Sequence, residues 1–96
     1  MIARLWRGRA ADRRNADAYV RHLKANVVAE LKSIAGYREV RLLRRDHEFL
    51  VITYWDSMEA IRRFAGGDPE KAVVEPEARA VLADYDDFVR HYEVVE

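Results

Sequence analysis

The pattern of apolar positions is most distinctive at residues 49–55, where each residue is apolar, aromatic or β-branched and none is charged. A strand with one solvent-exposed face alternates apolar and polar residues, whereas an unbroken run is typical of a central strand covered on both faces. Alternate side chains of a strand point to opposite faces. This run therefore predicts one face with Phe49, Val51 and Trp55, and a second with Leu50, Ile52 and Tyr54.

Before this run, the pattern predicts a strand followed by a long helix. Residues 2–9 mix apolar and basic side chains in near-alternation, which favours a strand. One face of this strand carries Ile2, Arg4, Trp6 and Gly8. Asp12 is placed to cap the helix, and Gly36 is expected to end it in a left-handed conformation. The apolar positions of the helix recur every three or four residues, at Ala16, Tyr19, Val20, Leu23, Val27, Leu31 and Ile34.

Two strands and two helical regions are predicted from residue 37 onward. Residues 37–44 form a half-buried strand, and the short link 45–47 makes it an antiparallel hairpin with 49–55. Residues 56–59 resemble a capping box with Asp56 at its head, in front of a short helix that turns Met58, Ile61 and Phe64 inward. Gly66 and Gly67 end that helix. Further helical turns are expected at Asp68–Pro69 and at 78–82, and a last strand at 85–95.

The predicted element order is βαββαβ, which is the order of the ferredoxin-like fold in the α+β class. In that fold, two helices cover one face of a four-stranded antiparallel sheet, and strands one and three are central. The second apolar face of 49–55 would then stay uncovered, and an apolar patch of that size indicates an interface. The sequence therefore predicts a homodimer that packs sheet against sheet.

Composition narrows the class of protein further. The 96 residues are expected to form a single domain, 1–96, and the 17 basic and 17 acidic residues cancel. That balance argues against nucleic acid or a membrane surface as a partner. Cysteine is absent, which excludes disulfides, thiolate nucleophiles and iron–sulfur sites. The N-terminus lacks a signal-peptide pattern, and a cytoplasmic location is expected.

Several segments together resemble the antibiotic-biosynthesis-monooxygenase-like domains of the dimeric α/β-barrel superfamily. They are residues 2–9, the helix with Tyr19, residues 55–61 with 64–66, residues 68–73 and residues 91–95. The resemblance implies a dimeric α/β barrel with a pocket between sheet and helices in each subunit. It also implies one of two activities. Some branches oxidise polycyclic aromatic molecules with dioxygen and no metal or flavin; others bind and degrade haem.

The residues that the haem-degrading branch uses are replaced in this chain. That branch has an asparagine on strand one, a tryptophan on the second helix and a haem-ligating histidine about ten residues later. The resemblance matches those places to Trp6 (or Arg7), Phe64 and Val74. Valine cannot ligate iron, so this chain should not degrade haem by that mechanism. The asparagine and tryptophan associated with the cofactor-free oxygenases are also missing from the equivalent places.

Histidine is the residue type from which acid–base chemistry or metal binding is first expected. The chain has His22, His47 and His91, and none has a second histidine three to five residues away, so no metal ligands and no cofactor are predicted. His47 is expected to be solvated in a turn. His91 is the candidate catalytic base, against the alternative of a hydrogen-bonded structural residue. His22 follows Tyr19 on the helix and is a candidate for the edge of the pocket.

Aromatic side chains are the second group of candidate site residues, because a cavity lined by them can bind a flat apolar ligand. Trp6, Tyr19 and Phe64 come from the three walls of the expected pocket and are predicted, with His22, to bind substrate. The alternative is that these rings fill the core.

Three functions remain open from the sequence. The first is a cofactor-independent monooxygenase for a flat aromatic molecule, with His91 forming the substrate anion and Tyr19 and Trp6 orienting the ring. The second is a dimer that binds haem or another hydrophobic ligand without turnover. The third is a structural or accessory dimer.

Overall fold

The computed structural model describes all residues from Met1 to Glu96. The chain forms five strands and four α-helices, and a π-helical turn at Leu23–Val27 joins the first two helices. Their bounds are β1 Ile2–Ala10, α1 Arg13–His22, α2 Val28–Lys32, β2 Tyr37–Arg45, β3 Glu48–Trp55, α3 Met58–Ala65, α4 Pro76–Val81, β4 Leu82–Tyr85 and β5 Arg90–Glu93.

The strands form one antiparallel sheet with β1 and β3 in its centre. The order is β2-β3-β1, and β4 and β5 both pair with the free edge of β1. This arrangement confirms the ferredoxin-like α+β fold and the central position of the apolar run in β3.

The single last strand that the sequence predicts at 85–95 is wrong, because the structure divides it into β4 and β5. β4 pairs with Gly8–Ala10 and β5 with Ile2–Leu5. Between them, the backbone bonds to the segment 70–72: Ala72 N–H donates to the Asp87 carbonyl and Val89 N–H to the Glu70 carbonyl. These partners lie fifteen or more residues away in the chain, so a local pattern does not reveal them.

The long helix and its Asp12 cap are confirmed, but the helix ends at Lys32 with Ser33 as its C-terminal cap, before Gly36. Asp12 Oδ1 accepts a hydrogen bond from the Asn15 amide at 2.8 Å, which satisfies one of the free N–H groups of the first turn. Helical backbone then continues from α1 through the π-helical turn into α2, and Val28 N–H donates to the Leu23 carbonyl. Gly36 has a φ of +93°, the left-handed conformation expected of it.

Two predictions for the second helical region are wrong in detail. Ser57, not Asp56, caps α3, since the Ser57 side chain accepts from the Ala60 amide and Asp56 pairs with Arg38 at 2.5 Å. Asp68–Pro69 forms only an isolated turn, closed by the Lys71 N–H to Asp68 carbonyl bond. The helix predicted at 78–82 is confirmed as α4, which begins two residues earlier and ends one residue earlier.

The core lies between the helices and one face of the sheet, in two clusters. The first surrounds Tyr19 and Phe49, and the second surrounds Trp55 and Ile61, both of which are fully buried. The Trp55 indole N–H donates to Thr53 Oγ1 at 2.8 Å, so the polar atom of this large core residue is satisfied.

The other face of the sheet carries an apolar surface that no helix covers. The pairing register places its members together, and we call the set the open face: Ala3, Leu5, Leu43, Leu50, Ile52, Tyr54 and Tyr92. None of these side chains is buried in the single chain, and Leu43 and Tyr92 are about half exposed. No helix of the structure is both long and apolar enough to cross a membrane.

Gly36→Ala is expected to destabilise the fold. A Cβ there would lie 2.4 Å from the Ala60 Cβ, and the positive φ disfavours any L side chain. The free energy of unfolding should fall by about 1–3 kcal/mol, measured by urea denaturation. Gly67→Ala is the matched control, because nothing lies within 4 Å of its Cβ position. Equal losses in the two variants would contradict this assignment.

Candidate functional site

A cavity of about 70 Å³ lies between the helices and the inner face of the sheet. The sheet contributes Trp6, Val51 and Thr53, and α1 contributes Tyr19 and His22. Phe64 of α3 and the segment Val73–Glu75 close the remaining sides. Most of the lining is apolar, and the polar groups are few, which is the usual composition of a small-molecule site. The four side chains predicted from sequence to bind substrate, Trp6, Tyr19, His22 and Phe64, therefore line one cavity.

The indole of Trp6 is held against the sheet by its neighbours. Its Nε1 donates to the Asp86 carbonyl at 2.9 Å, and its ring centroid lies 6.1 Å from that of Tyr19. Gly8 makes this position possible, since a Cβ at residue 8 would lie 2.4 Å from the end of the indole. The near-alternating pattern of β1 thus places a large ring and the glycine that accommodates it on the same face.

Tyr19 joins the rings of the cavity to the core. Its ring centroid lies 4.7 Å from that of Phe49, and the residue is 3% exposed. Burial raises the pKa of Tyr19 well above its ordinary value, because the phenolate loses hydration inside the protein. The phenol therefore keeps its proton at neutral pH and is available as a hydrogen-bond donor.

Arg4 is the buried cation of the site, and sequence reasoning did not select it. It is 4% exposed and donates to the carbonyls of Pro69 and Lys71, the latter at 3.0 Å. Its guanidinium carbon lies 5.8 Å from the Phe64 ring centroid, within cation–π distance. Burial lowers the pKa of Arg4 to about 10, so the side chain remains positive at neutral pH. Its place on the same face of β1 as Trp6 was the available signal.

His91, the predicted catalytic base, lies behind Arg4 and not among the residues that line the cavity. Arg4 Nη1 lies 3.2 Å from His91 Nε2, and since a guanidinium only donates, Nε2 is the acceptor. The pKa of His91 is lowered, first by burial and then by the Arg4 charge, while Glu70 opposes the shift. Its role as a base stays a prediction, and the structure adds that the base and the cation form a contacting pair.

His22 contacts an acidic residue, Glu75, that sequence reasoning did not connect with it. Its Nε2 lies 3.7 Å from Glu75 Oε2, and its Nδ1 lies 3.0 Å from the Asn26 carboxamide nitrogen. The pKa of Glu75 is raised mainly by burial, then by its hydrogen bond to Glu30 and the Glu30 charge. Because 53 residues separate His22 from Glu75, no spacing rule links them.

The positions matched to the haem-degrading branch converge in space. Trp6, Phe64 and Val74 all line the cavity, whereas Arg7 is exposed on the opposite face of β1. Of the two candidates on strand one, Trp6 is therefore the one that faces the cavity.

The sequence model of the antibiotic biosynthesis monooxygenase family matches residues 8–76. That range includes more than half of the chain and most of the cavity walls. The chain belongs to the antibiotic biosynthesis monooxygenase family. No protein among curated sequences matches it significantly.

Solved structures of this family share the fold with low sequence identity. SnoaB, a cofactor-independent oxygenase from Streptomyces nogalater, superposes with a TM-score of 0.69 at 15% identity, covering 99% of this chain and 93% of SnoaB. A mutant of MhuD with two manganese protoporphyrin IX molecules per active site superposes with a TM-score of 0.68 at 18% sequence identity. The match covers 100% of this chain and 96% of MhuD. PA3566 from Pseudomonas aeruginosa superposes with a TM-score of 0.65 at 22% sequence identity, covering 99% of this chain and 94% of PA3566. At these identities, the likeness establishes the family's fold and no particular substrate.

We expect His91 to make the stability of this family member depend on pH. Because the folded-state pKa is lowered, the unfolded chain takes up a proton at His91 first as the pH falls below 6.5. The stability that neutral His91 contributes above pH 6.5 is therefore lost as the pH falls from 6.5 to the lower pKa that His91 has in the folded chain. Between about pH 7 and about pH 5, the Tm of the natural chain should fall more than that of His91→Gln. Parallel Tm profiles would contradict the shift.

Proposed function

We propose that the chain is a cofactor-independent monooxygenase that acts on a flat aromatic small molecule in the cavity. The observation that carries the proposal is the convergence of Trp6, Tyr19 and Phe64, from three separate elements, on one apolar space with Arg4 at its edge. Aromatic faces bind a planar ring by stacking and edge contacts. A buried cation favours an anionic oxygen on that ring.

Arg4 and His91 supply the acid–base part of the proposed chemistry. A ring hydroxyl that enters next to Arg4 would give its proton to His91 Nε2 only after the Arg4 guanidinium swings aside, because His91 lies behind Arg4 and its Nε2, 3.2 Å from Arg4 Nη1, accepts the Arg4 hydrogen bond in the empty site. The resulting ring oxyanion would pair with the Arg4 guanidinium, whose charge is worth more in the buried site than in water. An electron-rich anion of this kind is what the reaction with dioxygen requires. Tyr19, protonated at neutral pH, would donate a hydrogen bond to the same ring.

The size of the cavity demands that one wall moves when a multi-ring molecule binds. Sites for drug-sized ligands span about 300–1,000 Å³, whereas this cavity encloses about 70 Å³. Val73 and Val74 belong to a segment without helix or strand pairing, and Val73 is 41% exposed. We propose that this segment shifts outward to admit the ligand.

The small cavity also favours the second candidate function, a dimer without turnover. Such a protein would bind a hydrophobic molecule, or nothing, in the same place. For haem in particular, Val74 stands where the resemblance puts the iron ligand, so any haem would lack that axial bond. Titration with haemin tests this candidate, because the absence of a saturable Soret shift would eliminate haem.

We further propose that two chains pair through the open face. Its central residues Leu5, Leu50 and Ile52 are adjacent across β1 and β3 and are not buried in one chain. Covering them with the same surface of a second copy removes apolar area from water, and a two-fold axis makes the contact self-complementary. The dimer would leave the cavity accessible, since the cavity lies on the opposite face.

Filling the cavity is expected to abolish ligand binding. Val74→Phe adds bulk to a wall of the cavity, while Val95→Phe, at a side chain that is 92% exposed, is the matched control. Binding of hydroxylated naphthalenes and anthracenes by calorimetry should fall by roughly 10-fold or more in Val74→Phe only, about 1.4 kcal/mol. Circular dichroism checks that both variants are folded.

The same ligands separate the two candidate functions. Oxygen consumption without added metal or flavin, lost in His91→Ala with binding retained, is expected for the monooxygenase. Binding without oxygen uptake favours the second candidate, and turnover that is unchanged in His91→Ala would remove the base role from His91.

Light scattering should give twice the mass of one chain at micromolar concentration. Ile52→Lys places a charge in the centre of the open face and should yield monomers, because a buried unpaired charge opposes association. Val95→Lys adds the same charge outside the open face and should stay dimeric. A monomeric natural chain would refute the dimer.

A further inference from the structure

His22 presents a buried ring nitrogen that has no hydrogen-bond partner. The side chain is 8% exposed, and its Nε2 atom is shielded from solvent. Nearly all buried polar atoms in folded proteins are hydrogen-bonded, and an exception requires a specific explanation, such as a bound ion. A carboxylate oxygen, Glu75 Oε2, lies 3.7 Å from this nitrogen.

A second carboxylate lies within reach of the same nitrogen. Glu75 and Glu77 flank Pro76, the first residue of α4, and the ring of Pro76 restricts the backbone between them. One ligand atom from each of His22, Glu75 and Glu77 lies within 4.8 Å of the others. Ligand atoms about 2.0–2.2 Å from one ion are roughly 3–3.5 Å apart. A small rotation of the exposed Glu77 side chain would therefore complete such a set.

The charges around this cluster favour a cation. Glu30 lies close to Glu75, so three carboxylates, those of Glu30, Glu75 and Glu77, are grouped near His22. Carboxylates held this close repel one another when ionised. A divalent ion between them would relieve that repulsion, because its positive charge offsets the negative charges of the carboxylates.

Asn26 can hold the imidazole in the form that a metal needs. Its carboxamide nitrogen lies 3.0 Å from His22 Nδ1, one helical turn away. A metal on Nε2 leaves the ring proton on Nδ1, which requires an acceptor. The two ends of a carboxamide are interchangeable by a flip, so Asn26 would then present its oxygen to Nδ1.

We propose that His22, Glu75 and Glu77 bind a divalent first-row transition-metal ion. One imidazole and two carboxylates suit Zn²⁺, Mn²⁺, Fe²⁺ or Co²⁺, whereas Mg²⁺ and Ca²⁺ prefer oxygen ligands alone. The ion would tie the end of α1 to the start of α4. It would thereby fix one end of the segment Val73–Glu75, the wall that the proposed ligand must displace. The proton transfer to His91 does not use this ion, so the site goes beyond the proposed function.

The test uses the untagged full chain after chelator treatment, titrated with Co²⁺ and, in parallel, with Zn²⁺. We expect saturable binding of one ion per chain, with visible Co²⁺ absorption bands and a rise in Tm, because a ligand that binds only the folded state stabilises it. His22→Gln and Glu77→Gln should each weaken the affinity at least about 10-fold, since each removes a direct ligand. The exposure of Glu77 ensures that its variant tests the site without disturbing the core.

His47→Gln and Glu93→Gln are the matched controls, each of the same residue type and outside the cluster. They should bind both ions as the natural chain does. The proposal is overturned if the natural chain shows no saturable binding, or if His22→Gln and Glu77→Gln bind as tightly as the controls. Mg²⁺ binding as tight as that of Co²⁺ would also overturn it, since the imidazole would then contribute nothing.

Discussion

The buried guanidinium of Arg4 connects β1 with β5, with α3 and with the irregular segment that follows α3. From the centre of β1, it bonds the backbone of residues 69–71, contacts His91 on β5 and lies over Phe64 of α3. A charge this deeply buried is tolerated only when its donors are paired, and here backbone carbonyls do so. The position of the irregular segment beyond α3, and with it one wall of the cavity, depends on this side chain.

Because side chains alternate along β1 and β3, the two faces of the sheet carry different sets of residues with different proposed functions. The inner face carries Trp6, Thr53 and Arg4, which line the cavity, while the outer face carries the apolar residues of the open face. Because the two sets never share a face, the proposed pairing of chains and the proposed ligand site can change independently. A substitution in one set should leave the other in place.

Membership of the antibiotic biosynthesis monooxygenase family establishes the fold of this chain but not the reaction that its cavity supports. The positions that the haem-degrading branch uses converge on the cavity here, but they hold Trp6, Phe64 and Val74. These two aromatic rings and one aliphatic side chain make the site more apolar than the asparagine, tryptophan and histidine of that branch would. Two pairs of ionisable side chains remain at the cavity: Arg4, with His91 behind it, and His22 with Glu75. These two pairs are where the chemistry particular to this chain is to be sought.

The sequence by itself determined those features that depend on near neighbours. The apolar run of β3, the Asp12 cap, the stripe of the long helix and the left-handed Gly36 are encoded within a few residues, and with the element order they specify the fold. They also placed Trp6, Tyr19, His22 and Phe64 at the cavity. Only the tertiary structure decided the division of the last strand, the isolated turn at Asp68–Pro69 and the pairs Arg4–His91 and His22–Glu75. The strand division and the two pairs rest on contacts between residues far apart in the chain. The turn is held by bonds from Arg4 and Val89 to the carbonyls of Pro69 and Glu70, so local periodicity carries no signal for any of these features.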